Sequence, residues 1–86
     1  MVKQATEVYS PGFDEAFRSL PPGIRTQIEA KIRELGRQLE THAHHRLQGR
    51  PECRLRVADY RVFYTFNAAR NLLYLHEVGH RREVYR

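Results

Sequence analysis

Two strand-like runs separated by only two residues constrain the fold of this chain more than any other feature. In Cys53–Val57, apolar residues alternate with Arg54 and Arg56, which is the period of a β-strand with one apolar face. Residues 60–66 form a second run that is rich in aromatic and β-branched residues. A two-residue connection joins two strands as an antiparallel hairpin. The chain is therefore predicted to contain a hairpin with arginines on one face.

Two further strand-like segments complete the predicted sheet. Residues 72–78 follow a turn at 67–71, and Gly79 is expected to end this run. The short turns between the last three runs predict an antiparallel meander. Residues 5–9, near the start of the chain, are short and contain β-branched and aromatic residues, which favours an additional strand.

Between the first and second strands, residue spacing predicts two helices joined by a tight turn. Ser10 followed by Pro11 is typical of a helix start, and residues 21–23 stop this helix and begin the next. The second helix has the clearer apolar stripe, and Gly36 is expected to weaken its end. The apolar positions at helical spacing are Phe13, Phe17 and Leu20 in the first helix, and Ile24, Ile28, Ile32, Leu35 and Leu39 in the second.

The predicted helical hairpin must bury its apolar face on another element, and the sheet provides that surface. The predicted fold class is α+β with the order β-α-α-β-β-β, in which the helical hairpin packs on a twisted antiparallel sheet. A length of 86 residues with 41% hydrophobic residues suffices for one domain, residues 1–86, with one modest core.

Several residue types exclude whole classes of protein. The single cysteine, Cys53, cannot form an internal disulfide and is interpreted as a small buried hydrophobic residue. The spacing of His42, His44 and His45 fits no metal pattern, so they are interpreted as a solvated loop, and no metal or cofactor is expected. There is no apolar signal core and no run long enough to span a bilayer, which predicts a reduced, cytoplasmic protein without membrane attachment.

The net charge of +5 is unevenly distributed along the chain. Residues 1–41 hold six basic and six acidic residues, whereas residues 42–86 hold nine arginines and four acidic residues. Arginine binds phosphate through two parallel hydrogen bonds, which lysine cannot do. A basic half of this kind indicates a polyanionic partner, such as nucleic acid or an acidic protein segment. Charge alone is equally consistent with a solvated basic surface.

The predicted hairpin concentrates part of this charge. Alternation places Arg54 and Arg56 on the same face, and the tight turn brings Arg61 beside them on the next strand. Residues 80–85 would join these arginines if the C-terminal extension folds back onto the sheet. Basic residues hold phosphates, and an aromatic ring stacks on an unpaired base. The resulting groove is predicted to bind nucleic acid.

Several ordered motifs resemble the RelE/ParE toxin superfamily. They are residues 47–49 (LQG), 54–64 (RLRVADYRVFY) and 78–85 (VGHRREVY), together with the N-terminal strand and the Leu-Pro-Pro helix turn. The resemblance covers nearly the whole chain and implies a compact RelE/ParE-like domain. It also implies a toxin of a type II toxin–antitoxin pair, which assembles with a cognate antitoxin in a hetero-oligomeric complex.

For RelE-like members, the resemblance implies an endoribonuclease that cleaves messenger RNA in the ribosomal A site without a metal, by attack of the 2′-hydroxyl. By similarity, Arg61 would stabilise the transition-state phosphate, while Arg54 and Arg56 occupy the basic strand positions of the family. Arg81 would assist the leaving oxygen, and Tyr85 would orient the RNA or stack on it.

Departures from the family pattern affect the proton acceptor and the turn. Some members have lysine where Arg54 or Arg56 stands, and arginine essentially cannot lose its proton. His80 is therefore the first candidate for the base and Tyr85 the second. Ala58 replaces a usual glycine, which predicts strain or a different turn type. The chain ends at Arg86, and the C-terminal helix of some relatives is expected to be absent. Further RNA contacts are expected from Arg46, Arg50 and Arg82.

Alternatives to this reading remain open at the level of sequence. Arg61 is also interpretable as an ordinary surface arginine paired with Asp59 or Glu77. The whole chain is interpretable as a ParE-like inhibitor of DNA gyrase that has no nuclease activity. A third hypothesis is an inactive relative that only binds its antitoxin.

Overall fold

The computed structural model describes residues 3–84 and forms a mixed sheet with helices. The elements are β1 (Thr6–Tyr9), α1 (Pro11–Arg18), α2 (Pro22–Gly36), β2 (His45–Arg46), β3 (Cys53–Val57), β4 (Tyr60–Asn67), β5 (Leu72–His80) and α3 (Arg81–Val84). The predicted order is confirmed, with two additions: the two-residue β2 and the one-turn α3. No helix within residues 3–84 is long and apolar enough to cross a membrane.

The sheet has five strands in the order β1-β5-β4-β3-β2. The predicted meander is confirmed, because β3, β4 and β5 are antiparallel neighbours. The prediction of a wholly antiparallel sheet is wrong at one edge, where β1 pairs in parallel with β5, with Val8 opposite Tyr74. Alternation along one strand reveals its buried face, but it contains no information about the direction of the neighbouring strand.

Local signals fix the ends of both long helices. The Oγ of Ser10 accepts a hydrogen bond from the backbone N–H of Phe13 at 3.0 Å, which caps α1 ahead of Pro11. Pro22 occupies the first turn of α2, where its missing N–H costs nothing. α2 ends at Gly36, where the sequence predicts a weakened helix, so Leu39 is buried but lies beyond the helix in which it was predicted.

The hydrophobic core lies between the helical hairpin and one face of the sheet. The predicted helical stripe is confirmed, because Ile28, Ile32 and Leu35 are at most 2% exposed. The sheet contributes a matching set of buried apolar side chains: Cys53, Val57, Val62, Tyr64, Leu73, Leu75 and Val78. Burial raises the pKa of the Cys53 thiol, with the nearby positive charge of Arg46 acting in the opposite direction. The interpretation of Cys53 as a buried hydrophobic residue is confirmed.

An irregularity in β5 changes which of its residues face the helices. Phe63 pairs with Glu77, but the next residue, Tyr64, pairs with Leu75, so His76 is an extra residue in β5. This is a β-bulge. Because of it, both Leu75 and Val78 lie in the core although they are three residues apart.

One histidine of the predicted solvated loop is part of the packed structure. The Nε2 of His44 lies 2.8 Å from the carbonyl oxygen of Leu39, which only accepts hydrogen bonds, so this nitrogen carries the proton. The Nδ1 of His44 therefore accepts the hydrogen bond of the Tyr64 hydroxyl, at 2.6 Å. The His44 ring also stacks on Phe66 at 3.9 Å. The loop prediction is wrong for His44, whereas His45 is exposed.

We expect the change Tyr64→Phe to lower the free energy of unfolding by about 1–3 kcal/mol, because it leaves the Nδ1 of His44 without its donor. Burial raises the pKa of Tyr64, which favours the protonated hydroxyl that donates this hydrogen bond. Urea unfolding monitored by circular dichroism measures the change. Tyr74→Phe, on the other face of the sheet, is the matched control, and equal stability of the two variants would contradict the role of this hydrogen bond.

Candidate functional site

The face of the sheet opposite α1 and α2 carries the arginines of the predicted site. We call this surface the open face. Directly paired residues of neighbouring strands project from the same face. Arg54 pairs with Phe63, and Arg56 pairs with Arg61 across the β3–β4 hairpin. Arg61 pairs in turn with Gly79 of β5. The predicted convergence of the three arginines on one face of the hairpin is confirmed.

The pairing of Arg56 with Arg61 is electrostatically unusual. Like charges directly opposite each other on neighbouring strands destabilise a sheet. Arg56 is exposed, whereas Arg61 is only 7% exposed. The two arginines are paired across the hairpin and one of them is nearly withdrawn from water, so an anion bound between them would relieve their repulsion.

Arg61 is held by the backbone of the turn between β3 and β4. Its Nη1 donates to the carbonyl oxygens of Ala58 at 3.1 Å and Tyr60 at 2.9 Å. Its Nε is buried and has no hydrogen-bond partner among residues 3–84. Within residues 3–84, the hydrogen bonds of Arg61 go to carbonyls and not to the carboxylates of Asp59 or Glu77, so the ion-pair interpretation does not describe this side chain. A buried, unsatisfied donor costs free energy unless a ligand satisfies it.

The same turn also holds the start of α3. The backbone N–H of Arg81 donates to the carbonyl oxygen of Asp59 at 2.8 Å. The Nε of Arg81 lies 3.9 Å from the Oδ1 of Asp59, but both side chains are more than half exposed, so this ion pair contributes little. Ala58 has a φ of +53°, which confirms the predicted strain and costs about 1–2 kcal/mol for a residue with a Cβ.

The chain after β5 folds back over the sheet, as the predicted groove requires. A Cβ on Gly79 would lie 2.7 Å from the Cγ1 of Val84, so α3 is in close contact with β5 where Gly79 pairs with Arg61. Residues 81–84 of this extension form one helical turn, which the sequence did not predict. Arg82 is exposed on this turn. Tyr85, the predicted stacking residue, lies outside the described residues.

A further arginine, Arg50, covers the middle of the open face. The guanidinium carbon of Arg50 lies 5.3 Å from the ring centroid of Phe63, which is fully buried although it lies outside the main core. The Nη2 of Arg50 is 3.2 Å from Glu52 and 3.9 Å from Glu77. Arg50 therefore holds the loop before β3 against the sheet, and these partly exposed ion pairs are weak enough to exchange for a phosphate.

Two predicted site residues lie away from the open face. Arg46 pairs with Cys53, which places it on the helix side of the sheet. His80 pairs with Tyr60, and the two rings are in edge contact with centroids 5.4 Å apart. The Nδ1 of His80 accepts the backbone N–H of Arg82 at 3.2 Å. The structure therefore does not bring His80 together with the three hairpin arginines.

Two other titratable residues lie on the open face, and the sequence did not identify either of them as a site residue. His45 pairs with Arg54, and Glu77 pairs with Phe63. Both are exposed. The sequence could not identify His45 as a residue of this face, because β2 is only two residues long and too short to show an alternating pattern. Among residues 3–84, no cluster of three or more His, Cys, Asp or Glu side chains is arranged to hold a metal ion.

Comparison with known proteins supports this fold. The sequence matches the family model of the ParE toxin of the type II toxin–antitoxin system parDE over residues 8–85. A search of curated protein sequences found no significant match.

Solved structures with a similar fold include the toxin–antitoxin complex RelBE2 from Mycobacterium tuberculosis, with a TM-score of 0.76 and 18% identity over 96% of this chain and 100% of that chain. The RelB–RelE antitoxin–toxin complex from Methanococcus jannaschii gives 0.71 and 21% identity, covering 91% and 94%. The intact E. coli RelBE complex gives 0.72 and 22%, covering 88% and 95%. The predicted α+β fold and its resemblance to RelE/ParE toxins are confirmed.

Proposed function

We propose that this chain, which belongs to the ParE toxin family within the RelE/ParE superfamily of type II toxin–antitoxin toxins, is an endoribonuclease that cleaves messenger RNA on the ribosome and thereby inhibits translation. Such an mRNA interferase acts in the cytoplasm, where its substrate is. The observation that carries the proposal is the pairing of Arg56 with the nearly buried Arg61 on the open face, beside Arg54.

The proposed reaction is metal-independent and uses the RNA's own 2′-hydroxyl as the nucleophile. The hydroxyl oxygen forms a bond to the adjacent phosphorus, its proton leaves, and the 5′-oxygen of the next nucleotide departs and takes up a proton. Negative charge increases on the phosphate oxygens in the transition state. Arg56 and Arg61, which are paired across the hairpin, are proposed to stabilise this charge, and fixed donors of this kind contribute the largest single effect in many enzymes.

Arg81 is proposed to assist the departing 5′-oxygen. Its backbone is anchored to the turn that also holds Arg61, so the turn fixes both arginines relative to each other. A guanidinium group does not give up its proton, and Arg81 would act by hydrogen bonding to the oxygen while water supplies the proton. Arg54, Arg50 and Arg82 are proposed to hold neighbouring phosphates, and Tyr85 is proposed to orient the RNA.

The proton acceptor is proposed from the groups that share the open face. His80 is the first choice from the sequence, but it pairs with Tyr60 on the opposite face. His45 pairs with Arg54 on the arginine side. An imidazole accepts protons near neutral pH. The register therefore favours His45 over His80 for this role, and loss of cleavage in His45→Gln with activity retained in His80→Gln would support that assignment.

A second function is favoured by two observations. The matching family model is that of a ParE toxin, and the Nη1 of Arg61 is already bonded to backbone carbonyls. Both fit a toxin that inhibits DNA gyrase and in which Arg61 only stabilises the hairpin. Under this alternative the open face binds protein, and RNA is not a substrate.

One experiment separates the two functions. Purified protein is added to ribosomes programmed with a defined messenger RNA, and in parallel to gyrase in a supercoiling assay. The nuclease proposal predicts RNA cut at the A site, with a 2′,3′-cyclic phosphate on the upstream product, and unchanged supercoiling. Intact RNA on active ribosomes together with inhibited gyrase would establish the alternative. Intact RNA with active gyrase would indicate an inactive relative that binds only its antitoxin.

The proposed partner is a cognate antitoxin encoded by a neighbouring gene. The similar solved structures named above are toxin–antitoxin complexes. The basic open face is complementary to an acidic or amphipathic segment, and such a segment would compete with RNA for the arginines. Growth arrest on expression of this chain alone, relieved by co-expression of the neighbouring gene, is the expected result. Unaffected growth would contradict the toxin function.

A further inference from the structure

Three polar and aromatic side chains occupy the end of the open face farthest from the arginines. Thr65 pairs with Tyr74, and the Oγ1 of Thr65 lies 2.7 Å from the Nε2 of the bulged residue His76. The rings of Tyr74 and His76 are nearly parallel, with an interplanar angle of 23° and centroids 6.5 Å apart. We call Thr65, Tyr74 and His76 the aromatic patch.

The aromatic patch does not take part in the hydrophobic core. His76 is exposed and Tyr74 is half-buried, whereas their neighbours Leu73 and Leu75 are at most 1% exposed on the other face. Val8, which pairs with Tyr74 at the sheet edge, is 42% exposed. A β-bulge, which is common next to functional sites, is what presents His76 here. The patch is thus a flat, accessible surface whose rings are held in place without contributing to packing.

The patch is continuous with the proposed phosphate site. Arg61, Phe63 and Thr65 follow one another along the same face of β4, so the patch lies about 13 Å from Arg61 at the rise of a strand. Arg50, whose guanidinium carbon is 5.3 Å from the Phe63 ring centroid, lies between them. Positive charge followed by exposed aromatic rings is the arrangement by which proteins hold single-stranded nucleic acid.

We propose that Tyr74 and His76 form a stacking subsite for an unpaired nucleobase of single-stranded RNA, several nucleotides away from the phosphate held by Arg56 and Arg61. The inference rests on the proposed nuclease function. Stacking is sequence-tolerant because every base has an aromatic face. The subsite therefore binds the substrate strand outside the reacting dinucleotide, with Val8 as an apolar edge.

The test is binding of fluorescent single-stranded oligoribonucleotides to the purified full chain, measured by fluorescence anisotropy. An eight-nucleotide RNA is compared with an RNA of the same length that lacks its bases. Tyr74→Ala is expected to weaken binding of the normal RNA by about 5–100-fold and to leave binding of the abasic RNA unchanged. Tyr74→Phe keeps the ring and is expected to match the unaltered protein. His76→Ala, at an exposed position, is a second variant with little risk to folding.

Each result supports or overturns the inference. If Arg56→Ala weakens binding of both RNAs but Tyr74→Ala and His76→Ala change neither, the subsite is wrong and the proposed function stands. If Tyr74→Ala weakens binding only of the antitoxin, the patch is a protein-docking surface and the inference is overturned. If neither RNA binds and the messenger RNA on programmed ribosomes stays intact, the proposed function is wrong. The subsite, which rests on that function, is then wrong as well.

Discussion

Arg61→Ala is expected to lower the rate of messenger RNA cleavage on programmed ribosomes by about 10²–10³-fold, the usual effect of removing one donor that stabilises transition-state charge. The effect is large because the guanidinium is nearly buried, where a charge–charge interaction is stronger than in water. The loss should appear mainly in kcat. Arg56→Ala is expected to lose less, because at an exposed position across the hairpin water screens its charge.

Arg61→Ala also leaves the carbonyls of Ala58 and Tyr60 without their donor, so stability must be measured beside activity. We expect a loss of about 1–3 kcal/mol from this cause. Arg61→Lys keeps a positive donor and separates the two effects. Arg70→Ala, an exposed arginine in the β4–β5 turn, is the matched control and should retain activity. Full cleavage by a folded Arg61→Ala protein would exclude Arg61 from the chemistry and leave it only the role of stabilising the hairpin.

Much of the fold was predictable because its signals are local. The alternation in Cys53–Val57 and the two-residue turn after it determine the hairpin, and with it the face shared by Arg54, Arg56 and Arg61. Ser10 and Gly36 mark helix ends through the hydrogen-bonding and conformational preferences of single residues. These features depend on neighbours a few positions apart in the sequence, so spacing alone reveals them.

The features that were not predictable depend on contacts between distant segments. A single extra residue, His76, reverses the side-chain alternation of β5, and its position follows from how β5 pairs with β4. His80 therefore lies with Tyr60 on the helix side, whereas uninterrupted alternation from Leu73 would have placed it on the open face. In the sequence, His44 has the appearance of a loop residue. Only the folded chain brings the Tyr64 hydroxyl and the Leu39 carbonyl to its two ring nitrogens.

The site shows the same division between features that depend on local sequence and features that depend on contacts between distant segments. Alternation predicts which face Arg61 occupies, but not that it is buried, because burial depends on what covers that face. The covering element is α3, whose return to the sheet depends on the contact of Val84 with Gly79 and on the hydrogen bond from Arg81 to Asp59. Gly79 has the appearance of a strand terminator in the sequence. In the structure its missing side chain is what allows α3 to approach.

Gly79→Ala is therefore expected to reduce cleavage by about 10–100-fold while changing overall stability little. The added Cβ would meet the Cγ1 of Val84 at 2.7 Å, and a contact under 3.0 Å forces one partner to move. Because α3 is a single turn whose residues 81–83 are exposed, it is the part that moves, and the side chain of Arg81 moves with it. A displacement of about 1 Å of a catalytic group suffices for a loss of this size.

The double variant Gly79→Ala with Val84→Ala decides whether this reasoning is correct. Removing the Cγ1 of Val84 restores the space that the new Cβ occupies, so the double variant should recover most of the activity that Gly79→Ala loses. Val84→Ala alone should retain near-normal activity, because the hydrogen bond from Arg81 to Asp59 still anchors the start of α3. A double variant as inactive as Gly79→Ala would show that the glycine acts through the backbone of β5. A Gly79→Ala protein with full activity would show that the contact between Gly79 and Val84 does not affect cleavage.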